Sequence, residues 1–485
     1  MAGIRFVDTT IRDGHLSLWA SGMTTGMMLP AVERLDDAGF EAIEILSDGQ
    51  MGKAVRELKD DPFERMRLLA ERARKTPLRL IAGRIATFEY EPPEAFALFL
   101  RLAARNGVSE VRISDPWNES AGWKRRVEAA HAAGLRVILN LVYSISPVHS
   151  DAYYAERCRQ AASLGVWRLC FKDPGGLLTP ERTRALVPIV LENAGGTTVE
   201  FHTHCTTGVG PLCCLEAIAG GMTVVNTALP PLADGSSNPS TFALAANARA
   251  LGHEPVLDLE RLGPVSAHFE TVARREGFPI GRPLAFDAAQ HRHQVPGGMI
   301  SNLAFQLRKV GMEDRLADVL EETVRVRAEL GYPVMVTPLS QFVGSQAAIN
   351  VIAGERYREV TDQVIEYALG HYGETAIRTM DPDIRARILG RRRADEVRRR
   401  DEPSLDELRE RFGGKGMAEE EMMLRWLFGA DAVEDQRRAG PPVPYASGRH
   451  PLVELVDRLC RRGDRALIAV ERPGLALRLE RRRAS

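Results

Sequence analysis

The sequence predicts a (β/α)8 TIM barrel over residues 1–285, followed by an α-helical C-terminal domain. Three observations carry this prediction. Short apolar runs alternate with amphipathic helical stretches eight times before residue 286. Glycine stands just past several of the helical stretches, as in Ala38-Gly39, Asn106-Gly107, Ala133-Gly134, Leu164-Gly165 and Gly220-Gly221, where a C-terminal cap favours it. Residues able to do chemistry collect where the apolar runs stop, which in such a barrel is the mouth.

Taken in order, the expected strands are Ile4–Val7, Ala42–Leu46, Arg79–Ile81, Glu110–Ile113, Arg136–Val142, Val166–Phe171, Thr198–His202 and Val224–Asn226. Helical patterns lie between them at Pro62–Lys75, Pro93–Asn106, Ala121–Ala133, Tyr153–Leu164, Pro180–Leu191 and Gly210–Ala219. From residue 286 the alternation stops. The patterns Ile300–Val310, Arg315–Leu330, Gln341–Ala353 and Glu359–Leu369 predict a helical domain over 286–400. The charge-dense run Arg391–Asp406 mixes both signs, which suits a solvated helix or linker better than a nucleic-acid surface. Residues 401–485 form a C-terminal extension with a helix at Glu419–Phe428, a breaker stretch at Ala439–Pro444, a helix at Leu452–Arg461 and two strand-like runs. No chemistry is assigned to it.

Composition excludes several classes. Hydrophobic residues make up 44% and charged residues 27%, as in ordinary soluble proteins. A net charge of -1 provides no global field for nucleic acid or an anionic membrane. No apolar run of about 18 residues exists to span a bilayer, and Met-Ala-Gly-Ile-Arg is not a signal peptide. The six cysteines (Cys158, Cys170, Cys205, Cys213, Cys214, Cys460) follow no disulfide or C-x-x-C pattern. A cytoplasmic location with reduced thiols is expected.

The most informative segment is Val-Glu-Phe-His-Thr-His, residues 199–204. On a strand, positions i and i+2 share a face, so His202 and His204 aim at one point. Two imidazoles and anionic oxygens suit Zn2+, Co2+ or Mn2+. The alternative is a pair of satisfied histidines at a strand end. Asp13, at the end of the first strand, offers a carboxylate. Lys172, at the end of another, cannot ligate as an ammonium, because it has no free lone pair. A carbamate formed with carbon dioxide presents carboxylate-like oxygens; an ion pair with Asp13 or Asp173 is the competing reading.

Longer stretches resemble a known family. They are Asp8-Thr-Thr-Ile-Arg-Asp-Gly-His15, Asp61-Pro-Phe-Glu-Arg65, Tyr143-Ser-Ile-Ser-Pro-Val-His149, Phe171-Lys-Asp-Pro-Gly-Gly-Leu-Leu-Thr-Pro180 and His202-Thr-His-Cys-Thr-Thr-Gly208. Further on come Gln294-Val-Pro-Gly-Gly-Met299, Val336-Thr-Pro-Leu-Ser-Gln-Phe-Val-Gly344 and Gly354-Glu-Arg-Tyr357. The chain resembles the carboxyltransferase family of biotin-dependent enzymes: the carboxyltransferase domain of pyruvate carboxylase, the alpha subunit of oxaloacetate decarboxylase and the keto-acid subunit of transcarboxylase, the last being nearest in wording.

The resemblance implies a TIM barrel with a funnel-like helical domain, and transfer of a carboxyl group between carboxybiotin and the enol of a 2-oxo acid. It implies Asp13, His202 and His204 as ligands of a divalent metal, and a carbamylated Lys172 as the fourth. Arg12 is implied beside the metal. Ser236, with Ser237 as the alternative, matches a hydroxyl that moves a proton between biotin and the keto acid. Asp115 and Asn118 are candidates near the substrate, or equally turn residues. Two departures touch the pocket. Leu16 stands where the family has Gln, and Ala82 where it has a carboxylate-binding Arg, with Arg84 two residues on as a replacement. Cys205 replaces an Asp, and Ser47-Asp48-Gly49 stands near the family's Trp-Gly-Gly.

No Met-Lys-Met occurs, so biotin is expected on a separate carrier protein, with a biotin carboxylase as a further partner. A homodimer within a larger complex is expected by the same resemblance. Two other readings stand beside it. One is a biotin-independent metal-dependent lyase, aldolase or decarboxylase on the same barrel. The other is a scaffold protein without turnover.

Overall fold

Eight parallel strands close on themselves: β1 (Arg5–Asp8), β2 (Ala42–Ser47), β3 (Leu78–Ala82), β4 (Glu110–Ile113), β5 (Arg136–Val142), β6 (Arg168–Asp173), β7 (Val199–Thr203) and β8 (Val224–Thr227). β8 pairs back onto β1 through Arg5↔Val224 to Asp8↔Thr227, and the ring is shut. This is the computed structural model of the chain. It describes residues 3–446 apart from 87–89, 116, 296–299, 301–302, 305–306, 310, 337–338 and 400–401, together with 456, 459, 467–472 and 475–480. Much of the Ile300–Val310 helix, most of Leu452–Arg461, the Pro296–Met299 part of one motif, and Cys460 lie outside those residues.

The helices between strands form where the apolar spacing placed them. Pro93–Arg105 starts on a proline that fits the first helical position and buries Phe96, Phe99, Leu102 and Ala103. It stops at Asn106 because Gly107 takes φ +92, a left-handed turn where an added Cβ would sit 2.3 Å from the Ala70 methyl. Pro62–Ala70 is capped by Asp61, whose carboxylate accepts from the amides of Phe63 (2.8 Å) and Glu64 (3.2 Å).

β6 and β7 run past their expected ends. Lys172 and Asp173 are strand residues because they pair with His202 and Thr203 of β7. Polarity marked the end of the apolar run; ladder pairing sets the end of the strand.

The barrel interior is charged. Arg79 of β3 binds Glu110 of β4 (2.9 Å) and Glu200 of β7 (2.7 Å). Arg112 of β4 binds Glu44 of β2 (2.9 Å) and Asn226 of β8 (2.7 Å). All five charged side chains are buried. Burial opposes ionisation of Glu44, yet Arg112, Arg12 and Arg79 hold its carboxyl down at about 2.

Two large hydrophobic clusters, and a small one of Val7, Ala42 and Val224, gather the core among the described residues. One fills the space between strands and barrel helices. The second belongs to the helical part and gathers Val319, Val326, Leu339, Val343, Val364 and Tyr367 from Leu316–Glu329, Leu339–Ala353 and Asp362–Leu369. Trp117 from the loop after β4 stacks on Tyr372 of that part, centroids 5.4 Å apart. The helix Arg392–Arg398 is a solvated one, tied by Arg393 to Asp362 (2.7 Å) and Glu396 (2.7 Å).

The first part of the extension returns to the barrel. Leu405–Phe412, Glu419–Phe428 and Ala430–Ala439 contribute Leu408, Met422, Met423, Leu424 and Val433 to the barrel's own cluster. Arg56 lies over Phe428 at 5.5 Å. Farther on, β9 (Leu467–Arg472) and β10 (Leu475–Glu480) pair antiparallel, as the two strand-like runs suggested. Among the described residues no helix is long and apolar enough to cross a membrane.

The interior network generates a stability test. Arg79→Leu leaves Glu110 and Glu200 buried without their shared cation, and is expected to destabilise the barrel by roughly 3–5 kcal/mol. Urea denaturation followed by circular dichroism measures it, and adding Glu200→Gln is expected to recover part of the loss.

Candidate metal centre at the barrel mouth

Asp13, His202 and His204 come together as the sequence suggested. Each offers one ligand atom, and the three atoms lie within 4.8 Å of one another. His202 is the penultimate residue of β7 and His204 the first beyond it. Their Nε2 atoms stand 3.2 and 3.4 Å from the same Asp13 oxygen, Oδ2. Asp13 sits in the short turn of helix that follows β1.

The imidazoles are oriented from behind. His202 Nδ1 donates to Asn226 Oδ1 at 2.9 Å, and His204 Nδ1 donates to the Ser236 carbonyl at 2.7 Å. With the proton assigned to Nδ1 in both rings, Nε2 carries the lone pair. Burial first, and then the neighbouring cations, keep His202 neutral by pushing its pKa down to about 3. Burial works against ionisation of Asp13, but Arg12 and the two histidines hold it well below the usual carboxylate range.

The donor set fits a divalent cation. Asp13 Oδ2 is buried and makes no hydrogen bond, although the Arg12 guanidinium lies 2.9 Å away. A buried anionic oxygen facing two imidazole nitrogens is the kind of donor set such an ion takes. Arg12 itself is turned toward Glu44, to which Nε donates at 2.8 Å.

Lys172 lies directly across the ladder from His202 and on the same inner face. It is buried. Desolvation, with Arg112 next, lowers its pKa to about 8, so far more of the amine is free near neutral pH than in an exposed lysine. The loop after it is tied to β7: Asp173 accepts from the amides of Leu177 (2.9 Å) and Leu178 (2.8 Å) and from Thr203 Oγ1 (3.0 Å). Backbone packs closely here. A Cβ at Gly176 or Gly210 would fall 2.6 Å from the His204 carbonyl oxygen, and Gly176 also has φ +61.

The remaining expected residues spread around the mouth. Ser236 donates its hydroxyl to the Ser17 carbonyl at 2.8 Å, while Ser237 Oγ is buried without a hydrogen bond. Leu16 is 39% exposed. β3 ends at Ala82, so Arg84 belongs to the loop beyond it and lies 4.8 Å over the Tyr372 ring. Asp115 accepts from the amides of Trp117 (3.1 Å) and Glu119 (2.6 Å). Asn118 exchanges two hydrogen bonds with the Val142 backbone, at 2.9 and 2.8 Å. Both serve as turn residues, one of the two readings open from sequence. Sequence reasoning missed Asn226 and Glu44. Asn226 carried one visible signal, a polar side chain within an otherwise apolar run.

Known proteins share this architecture and sequence. The family described as HMGL-like matches residues 3–268, more than half of the chain. A second, described as a conserved carboxylase domain, matches 291–442. A pyruvate carboxylase subunit of Methanocaldococcus jannaschii is 35% identical over 80% of this chain and 68% of that protein. The chain belongs to the carboxyltransferase family of biotin-dependent enzymes. Another member, the methylmalonyl-CoA carboxyltransferase 5S subunit of Propionibacterium freudenreichii subsp. shermanii, is 30% identical over 76% of this chain and 74% of that protein. The carboxyl transferase domain of Rhizobium etli pyruvate carboxylase, solved with pyruvate and biocytin, superposes with a TM-score of 0.81. It covers 90% of this carboxyltransferase chain and 78% of that domain's, at 22% identity, a likeness of fold.

Asn226→Leu removes the acceptor that orients His202. Such partners typically contribute about 10–100-fold to metal affinity. A loss of that order is expected in a chelator-competition titration with Zn2+ or Co2+, with the circular dichroism spectrum unchanged.

Proposed function

We propose that this carboxyltransferase moves a carboxyl group between carboxybiotin, borne by a separate carrier protein, and a 2-oxo acid of the pyruvate or oxaloacetate type or a related acyl substrate. The observation that carries the reading is the donor set at the mouth. An unbonded Asp13 oxygen and two Nε2 lone pairs converge there in a chain of this family. Asp13, His202 and His204 would hold a divalent ion, Zn2+, Co2+ or Mn2+, with Lys172 as a carbamate. The lowered pKa of Lys172 favours that reaction, since only the free amine adds carbon dioxide. The ion, when bound, supplies Lewis acidity toward the oxygen of the 2-oxo acid.

The chain's own residues do the rest. Arg12, fixed by Glu44, holds the Asp13 carboxylate ionised. Ser236 stands beside His204 through its carbonyl, and its hydroxyl can donate and accept in one place, which suits proton transfer between biotin and substrate. Arg84, steadied by Tyr372, is the cation we assign to the substrate carboxylate. Leu16 gives that pocket an apolar wall. Asp115 shapes the mouth through the loop it caps. A biotin carboxyl carrier protein and a biotin carboxylase are the expected partners of a homodimer, and the cytoplasm is the expected location, in keeping with the free cysteines.

A biotin-independent lyase is the second reading, favoured by the HMGL-like match over the barrel. The conserved carboxylase match over 291–442 supports the first. Avidin decides between them: added to the purified complex it is expected to abolish turnover of 2-oxo acids, and turnover that survives excess avidin would overturn the carboxybiotin reading. Lys172→Ala and His204→Ala are each expected to lose metal and activity while the barrel folds. Metal content by mass spectrometry equal to wild type would refute the ligand set.

A further inference from the structure

Two carboxylates converge on the loop that carries Arg84. The ladder stops just before it: β3 ends at Ala82, whose carbonyl accepts from the Ser114 amide at 2.9 Å. Asp48 opens the helix Asp48–Lys53 that follows β2, and its Oδ2 accepts from the Gly83 amide at 2.5 Å. Glu91 closes the same loop. One of its oxygens, Oε2, accepts from the amides of Ile85 (2.6 Å) and Ala86 (3.3 Å). Arg84 therefore stands between held neighbours on both sides. Ile85 and Ala86 are buried, and a buried amide needs an acceptor. The approach at position 83 is close: an added Cβ would lie 2.8 Å from the Ser114 carbonyl oxygen and 3.3 Å from Asp48 Oδ2.

Both carboxylates are anchored in the barrel wall. Glu91 is followed by Pro92-Pro93, and a residue before proline is confined to extended backbone. The helix Pro93–Arg105 starts at once. The other Glu91 oxygen, Oε1, meets Arg126 Nη2 at 3.5 Å. Arg126 belongs to the helix Ser120–Ala132 and lies 4.6 Å over the Phe96 ring of Pro93–Arg105. Asp48 is fastened by the Gly49 amide, which donates to Oδ1 at 2.8 Å. Among the described residues no cation forms a salt bridge with Asp48, so its partners are backbone amides. The two carboxyls feel each other: burial raises the Asp48 pKa to about 6, with Glu91 adding to the rise and the two amides and Arg126 opposing it.

We propose that Asp48 and Glu91 are positioning residues, which set Arg84 for the substrate carboxylate by fixing the backbone on either side of it. The proposal rests on the assignment of Arg84 made above. A cation carried on a strand is aimed by the ladder, whereas one carried on a loop is only as precise as the bonds that hold the loop. Arg84 lies two residues past Ala82, beyond the last rung, and the two carboxylates supply the hold that the ladder no longer gives. Its far end is steadied separately, 4.8 Å over the Tyr372 ring. Neither carboxylate is assigned a contact with substrate. A substrate carboxylate is bound alike before and during the reaction, so loss of aim at Arg84 shows in KM rather than in kcat.

The test combines kinetics of the purified complex, with oxaloacetate as the probe, and hydrogen exchange of the full chain read by mass spectrometry over residues 83–86. Glu91→Ala and Asp48→Ala are each expected to speed exchange there roughly ten-fold or more. Each is also expected to raise KM about ten-fold, with kcat within about two-fold of wild type. Glu91→Gln keeps an oxygen for both amides and is expected to restore KM and exchange. Arg84→Ala is expected to raise KM at least as far with exchange unchanged. Wild-type KM in either alanine variant, beside a raised KM in Arg84→Ala, overturns the proposal and leaves the Arg84 assignment standing. Unchanged exchange in both alanine variants, or no recovery in Glu91→Gln, also overturns it. Wild-type KM in Arg84→Ala overturns the assignment, and the proposal with it. If Glu91→Ala fails to fold, Asp48→Ala decides alone.

Discussion

Glu44 is the residue on which the barrel and its mouth both depend. One carboxylate, wholly buried on β2, is shared by Arg112 inside the barrel and by Arg12 at its rim. Arg112 continues the chain of contacts to Asn226, and Asn226 to His202. Arg12 continues it to Asp13. Two of the three candidate ligands are therefore held through the same anion, from opposite sides. Buried ion pairs add little net stability compared with apolar packing, but they penalise every arrangement that leaves a charge unmatched. Here the arrangement that matches them also fixes the aim of a carboxylate and an imidazole toward one point.

This constraint gives the mouth its electrostatic character. The histidines aim Nε2 into the mouth because their back nitrogens are spent on an amide oxygen and a backbone carbonyl. Asp13 stays ionised because Arg12 is beside it. Lys172, flanked by Arg112 and Arg12 in a dry setting, is a cation at the mouth whose proton is loosened. The barrel interior and the first residues of the loops that leave it set these states together.

Much of this was legible in the sequence. Apolar runs and their spacing gave eight strands, and the His-x-His spacing with Asp13 at another strand end gave three ligands that do converge. The rest depended on long-range pairing. Glu44, Arg79, Arg112 and Glu200 are polar positions within apolar runs, and such residues ordinarily point to solvent or a turn. They face inward here, and Arg79 meets Glu200 across 121 residues of sequence, a match no local pattern encodes. Lys172 and Asp173 looked like a loop because they are polar, while their pairing with β7 makes them strand. Asp115 and Asn118 showed the opposite ambiguity, since a turn residue and a pocket residue share the same composition at the end of a strand.

The return of residues 405–439 to the barrel changes what kind of object the helical part is. Topologically it is an insertion: chain anchored on the barrel both precedes it and follows it. A body tethered at two ends explores far fewer placements than one hanging from a single linker, so its local concentration over the mouth is high and its docking costs little entropy. The three outer helices thus act at a distance, as a second anchor for the helical part whose first is the chain leaving the barrel.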